Sequence, residues 1–88
     1  MRQLRLRPGA AVWREVDGET VALDVEASDY LGINESGSLL WAAVAAGTTE
    51  DELVSVLEVR FSLSERRARA DVSEFLQRLA ARGLLDDA

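Results

Sequence analysis

Gly18-Glu-Thr-Val-Ala-Leu-Asp-Val-Glu-Ala-Ser-Asp-Tyr-Leu-Gly-Ile-Asn-Glu-Ser-Gly-Ser-Leu-Leu-Trp41 joins two strand patterns to the start of a helix. Val21, Leu23 and Val25 alternate with Ala22, Asp24 and Glu26. That period of two predicts a half-buried strand over residues 20–26. A turn at Ser28-Asp29 leads into a short run, Tyr30-Leu31-Gly32-Ile33, read as a further strand. Asn34 stops that strand and can cap a helix, because its side-chain oxygen accepts an orphan N–H of the first turn. Glu35 follows and suits the positive end of a helix. A hairpin therefore hands its last strand directly to a helix. That strand is short and is a candidate sheet edge, whose unpaired N–H and C=O groups can accept a strand from another chain.

Working outward, Ala11 to Val16 reads as the preceding strand, with Trp13 as its large residue, and Asp17-Gly18 as a two-residue hairpin turn. Leu4 and Leu6 alternate with Arg5 and Arg7 as either a short strand or an extended arm, and Pro8-Gly9 marks a turn. Downstream, the first helix runs from about Glu35 to Ala46, with Leu39, Leu40, Trp41 and Val44 apolar, and Gly47 ends it. Thr49 to Glu52 fits a capping box for a second helix whose core candidates are Leu53, Val54, Val56 and Leu57. Phe61 and Leu63 pack at its end. Ser64 caps a third helix with Ala68, Val72, Phe75, Leu76 and Leu79 on its inner face, and Gly83 stops it with Leu84 folded back over the last turn. Three strands within 11–33 and three helices within 35–83 imply an α+β domain, helices on one face of an antiparallel sheet. The whole chain, 1–88, reads as a single domain with a modest core.

Composition narrows the chemistry. There is no cysteine, so disulfides and thiolate catalysis are excluded, and no histidine, the commonest general base and metal ligand. The serines and threonines have neither histidine nor lysine to activate them and are assigned to turns and caps. Glu50, Asp51 and Glu52 adjoin at a helix start, where the dipole favours acids, and carry no metal role. The expectation is a non-enzyme with no cofactor. No apolar run approaches the ~20 residues that span a bilayer, and the first residues lack a signal peptide's apolar core, so no membrane and a cytoplasmic location are expected. The net charge of −6 argues against nucleic acid as the main partner, although all ten basic residues are arginine and Arg66, Arg67, Arg69, Arg78 and Arg82 make the third helix locally basic.

The order and spacing of these pieces resemble the PqqD-like proteins, the recognition elements for ribosomally synthesised and modified peptides. The likeness rests on the strand–turn–Tyr30-Leu-Gly-Ile-Asn-Glu-Ser-Gly-Ser-Leu-Leu-Trp41 stretch, on Thr49-Glu-Asp-Glu-Leu-Val54, and on Ala70-Asp-Val-Ser-Glu-Phe-Leu-Gln-Arg-Leu-Ala-Ala-Arg-Gly-Leu-Leu85. It spans about Val12 to Leu85. It implies a winged-helix-like fold and a binding module without catalysis. The partner it implies is the leader segment of a precursor peptide, added as a strand beside the third strand in the groove it shares with the third helix. Asp29, Tyr30, Leu31, Gly32 and Ile33 then form one wall, with Gly32 permitting close approach of another backbone. Arg67, Asp71, Val72, Phe75 and Arg78 form the other, an apolar floor with a charged rim. A maturation enzyme, such as the separate leader peptidase of lasso-peptide pathways, is the second partner implied. The alternative is a winged-helix DNA-binding regulator that uses the third helix, its arginines on phosphates.

Overall fold

The computed structural model describes residues 2–87. Strands β1 (Leu4–Leu6), β2 (Ala11–Val16), β3 (Glu19–Asp24) and β4 (Asp29–Ile33) precede helices α1 (Glu35–Ala46), α2 (Glu50–Phe61) and α3 (Glu65–Ala81), and β5 (Leu85–Asp87) closes the order. β2, β3 and β4 form an antiparallel sheet in that spatial order, so the chain is α+β and winged-helix-like as expected. Of the two alternatives open for the Leu4–Leu6 segment the strand is the one formed, and β5 alone lies outside the expected set. β1 pairs antiparallel with β5, tying the N-terminal arm to the segment after α3, and Leu4 also bridges to Thr48. Leu4 and Leu84, both 1% exposed, anchor this clasp in the core. Leu85-Asp86-Asp87 carries no apolar alternation, and a three-residue strand forms only because Arg5 and Leu6 lie opposite it.

The β2–β3 hairpin closes as anticipated: Asp17 and Gly18 both hold positive φ, 53° and 81°, which a two-residue turn with the sheet's twist demands. The next turn is wider than the sequence suggests. β3 ends at Asp24, β4 begins already at Asp29, and the Asp24 carboxylate accepts the Ala27 N–H at 3.2 Å to shape the bend.

The period-two pattern of β3 is present, but its buried phase is the polar one. Thr20, Ala22 and Asp24 are buried, whereas Val21 is 41% and Val25 46% exposed. The reason is α1, which packs directly on β3. A helix at that distance fits small side chains, and Ala22 lies at 0% exposure. The buried Thr20 hydroxyl donates to Ser38 Oγ at 2.8 Å, and Ser38 in turn donates to the Ile33 carbonyl at 3.2 Å. That relay joins β3, α1 and the end of β4. Ser38, read from sequence as a turn or cap residue, is instead a buried structural link.

Each helix starts on the cap its sequence announced. Asn34 accepts the Gly37 N–H at 2.9 Å, Thr49 accepts that of Glu52 at 3.3 Å, and Ser64 accepts that of Arg67 at 3.2 Å. The Glu52 carboxylate accepts from the Thr49 hydroxyl rather than reaching back to a backbone donor. α3 ends with Leu84 N–H on the Leu79 carbonyl and Gly83 N–H on that of Ala80, a Schellman closure. Arg69 holds α3 to the start of α2 through Glu50 at 3.4 Å and Asp51 at 3.3 Å. The core gathers Leu40, Trp41, Val44, Leu53, Val54, Leu57, Ala68, Val72, Leu76 and Leu79 between the helices. Trp41 is a core residue at 1% exposure, and Trp13 packs edge-on against it, centroids 5.5 Å apart, while remaining 42% exposed.

Candidate functional site

β4 has β3 on one side and no strand on the other among the described residues, so one flank of its backbone is an open edge. α3 packs on α2 and β5 but stands off from β4. The gap between them is an open groove of about 660 Å³. Leu31 and Ile33 line it from the strand, Phe75 and Leu79 from α3, and Leu40 and Leu57 close its floor from α1 and α2. Asp71, Glu74, Arg78 and Arg82 border it. The strand's alternation explains the wall: Leu31 and Ile33 point to the helix side and are half-buried, while Tyr30 and Gly32 face away.

The expected site residues separate accordingly. Leu31, Gly32, Ile33, Asp71, Phe75 and Arg78 come together at the groove. Tyr30 is 69% exposed and belongs to the outer face of the sheet. Gly32 borders the groove through its backbone, and a Cβ there would meet nothing within 4 Å, so its absent side chain opens the outer face rather than relieving a crowded one. Asp29 sits at the strand's start and pairs with Arg82 at 3.4 Å. Arg67 lies outside the groove, pairing with Asp71 at 3.4 Å one turn along the helix. Val72 is fully buried and offers no surface to a ligand. Its position one turn from Leu76 and Ala68 places it in the α3 core stripe, so it supports the groove from behind.

The structure adds residues that the sequence did not single out. Arg82, the residue that ends α3, reaches Asp29 at 3.4 Å and the buried Asp24 at 3.9 Å, tying the helix end to the β3–β4 turn and closing one end of the groove. In the sequence Arg82 reads only as one of the arginines that make the third helix basic. Gly37 is a further case: a Cβ there would stand 2.7 Å from Ile33 Cγ2, 3.2 Å from Asn34 Oδ1 and 3.9 Å from Phe75 Cε1. The start of α1 therefore approaches the end of β4 so closely that only glycine fits. A shallower hollow next to the groove, lined by Leu57, Phe61, Leu63 and Asp71, continues it past the end of β4.

The groove holds the elements of strand capture. Main-chain groups on the β4 edge can pair with an extended chain, and the apolar floor can take alternate side chains. The rim offers both signs of charge, Asp71 and Glu74 against Arg78 and Arg82, with Glu74 and Arg78 paired at 3.6 Å. Among the described residues no group of acids could hold a metal ion, and no helix is long and apolar enough to cross a membrane.

An open edge strand flanked by a helix over an apolar floor defines a small polypeptide-binding module of winged-helix-like form. Residues 19–85 match the family model described as coenzyme PQQ synthesis protein D (PqqD), and the chain belongs to that family. PqqD-like recognition elements are binding partners rather than catalysts. A solved structure of TbiB1 in complex with the TbiA(beta) leader peptide matches with a TM-score of 0.85 and 27% identity over 93% of this chain and 94% of that one. A lasso peptide synthetase B1 complexed with the leader peptide matches with a TM-score of 0.81 over 94% of this chain and 96% of that one, and at 20% identity that likeness is one of fold. No curated protein matches the sequence.

Proposed function

We propose that this chain binds the leader segment of a ribosomally made precursor peptide as an added strand on β4 and presents the precursor to a maturation enzyme, such as a leader peptidase in lasso-peptide biosynthesis. One observation carries this reading: the unpaired edge of β4 opens onto an apolar groove whose far wall is α3. The similarity to TbiB1, solved with a leader peptide, supports it. A leader is short and disordered, so ordering it costs entropy that main-chain pairing and two or three apolar anchors must offset. Leu31, Ile33, Phe75 and Leu79 supply the surface for such anchors. In this reading the chain performs no chemistry of its own, takes no cofactor and works in the cytoplasm. The absence of histidine and cysteine is consistent with a purely binding role.

The ion pairs of α3 weigh against nucleic acid as the partner. Arg67, Arg69 and Arg78, three of the arginines a recognition helix would turn to phosphates, are already matched with Asp71, with Glu50 and Asp51, and with Glu74. Amide exchange tests the proposal. Adding a precursor leader peptide should protect residues 29–33, while protection confined to β2, the sheet's other edge, would defeat the assignment.

A further inference from the structure

One bond fixes the hydrogen-bonding phase of the whole sheet. The Val25 N–H donates to the Ala10 carbonyl at 3.0 Å, so main-chain groups of Val25 turn toward β2. Bonded and non-bonded couples alternate along an antiparallel pair. By the register, Leu23, Val21 and Glu19 turn toward β2 as well, and the two-residue turn at Asp17-Gly18 requires the same of Glu19. Asp24, Ala22 and Thr20 therefore turn toward β4, where Asp29, Leu31 and Ile33 lie opposite them. Tyr30 and Gly32 are left, and their N–H and C=O groups point out at the open edge. Asn34, next in this phase, gives its carbonyl to the Ser38 N–H and turns into α1. Side chains follow the other phase: Leu31 and Ile33 face the groove. α3 runs back along β4. Arg82 reaches Asp29 at the strand's start, while Phe75 Cε1 stands 3.9 Å from where a Gly37 Cβ would lie, a spot that Ile33 also crowds. Phe75 thus backs the position opposite Ile33, and Leu79, one turn on, backs that opposite Leu31.

We infer that β4 reads four consecutive residues of an antiparallel peptide strand in one fixed phase. The second and fourth pair through the main chain with Gly32 and Tyr30. The first and third are apolar and enter the groove, the first between Ile33 and Phe75, the third between Leu31 and Leu79. The inference rests on the proposed function and adds which positions of the leader carry recognition. The antiparallel sense continues an entirely antiparallel sheet and lets Gly32 and Tyr30 each exchange two bonds with a single residue. The ligand class that follows is an extended segment with apolar residues two apart. Proline is refused at the second and fourth positions, whose N–H groups bond to β4. The N–H groups of the first and third point away from β4, so nothing in the pairing requires them.

The test selects binders of the full chain from a phage-displayed library of random dodecapeptides and scans one synthetic binder. N-methylation, residue by residue, should lower affinity about tenfold or more at two positions two apart, and less than about threefold at the residue between them. Alanine substitution should cost about fivefold or more at the residues that alternate with those two. Amide exchange of the complex should add protection at Tyr30 and Gly32, since Leu31 and Ile33 are already bonded to β3 in the free chain. Gly32→Pro removes one edge N–H and no bond to β3. An edge strand accepts proline on its open side, so circular dichroism should show a folded variant, with affinity down about tenfold or more. If that variant does not fold, the exchange pattern decides. N-methylation and alanine acting at the same residues, or new protection at Leu31 and Ile33 instead of Tyr30 and Gly32, overturns the phase and leaves peptide binding standing. A library that yields no binder, or a binder that protects β2 alone, sinks the underlying reading instead.

Discussion

Truncating Phe75 to alanine separates apolar anchoring from rim electrostatics. Phe75 is half-buried in the free domain and lines the groove. An aromatic side chain of ~200 Å² then leaves on the order of 50 Å² for a bound peptide to cover. At ~25 cal/mol per Å² that surface is worth ~1.2 kcal/mol, so Phe75→Ala should weaken leader binding roughly 5- to 10-fold. Arg78 offers less. Its side chain is 75% exposed and pairs with Glu74 at 3.6 Å. A rim pair of this kind contributes ~0–1 kcal/mol, so Arg78→Ala should cost at most ~5-fold. Titration calorimetry with the leader peptide measures both. Phe75 also packs on the core, so the truncation lowers stability, and circular dichroism must confirm a folded domain. Phe75→Leu keeps most of the volume and should lie between wild type and alanine. Folded Phe75 variants that bind normally, beside an Arg78→Ala variant that does not bind, would refute the reasoning and make charge the source of affinity.

Other perturbations test the frame around the groove. Gly37→Ala should lower the melting temperature, because its Cβ would meet Ile33 Cγ2 at 2.7 Å; a helix interior would otherwise gain ~1 kcal/mol from alanine, so a raised melting temperature would contradict the close approach. Ser38→Ala breaks the relay from Thr20 to the Ile33 carbonyl and should cost ~1–3 kcal/mol in denaturant unfolding, with an unchanged midpoint showing the relay to be dispensable. Raising salt from ~50 to ~200 mM should weaken leader binding only a few-fold, since screening reaches the rim alone. A duplex-DNA contact through six or more phosphates would lose on the order of a thousand-fold over the same range. A steep slope with DNA and no peptide affinity would favour a regulator.

Local chemistry was legible along the chain. Asn34, Thr49 and Ser64 start their helices and Gly83 ends the third, because a cap is a contract between residues three or four apart. The Asp17-Gly18 turn is equally local. The strand-then-helix order is also written there, and with it the resemblance that pointed to Leu31, Ile33, Phe75 and Arg78 as neighbours. What the alternation of β3 could not say was which phase goes inside. Val21 and Val25 are the more apolar choice, yet α1 lies close enough that Thr20, Ala22 and Asp24 take the buried side. The same holds on α3: a helical stripe contains both Val72 and Phe75, and only the position of β4 decides that Val72 is sealed in the core while Phe75 reaches the groove. The β1–β5 clasp, the Arg82 link to Asp24 and Asp29 and the steric demand at Gly37 all join segments whose meeting no short window encodes. Periodicity reports what a segment can bury, whereas tertiary packing decides which neighbour it meets, because burial is set by the shape and distance of the element that arrives on top.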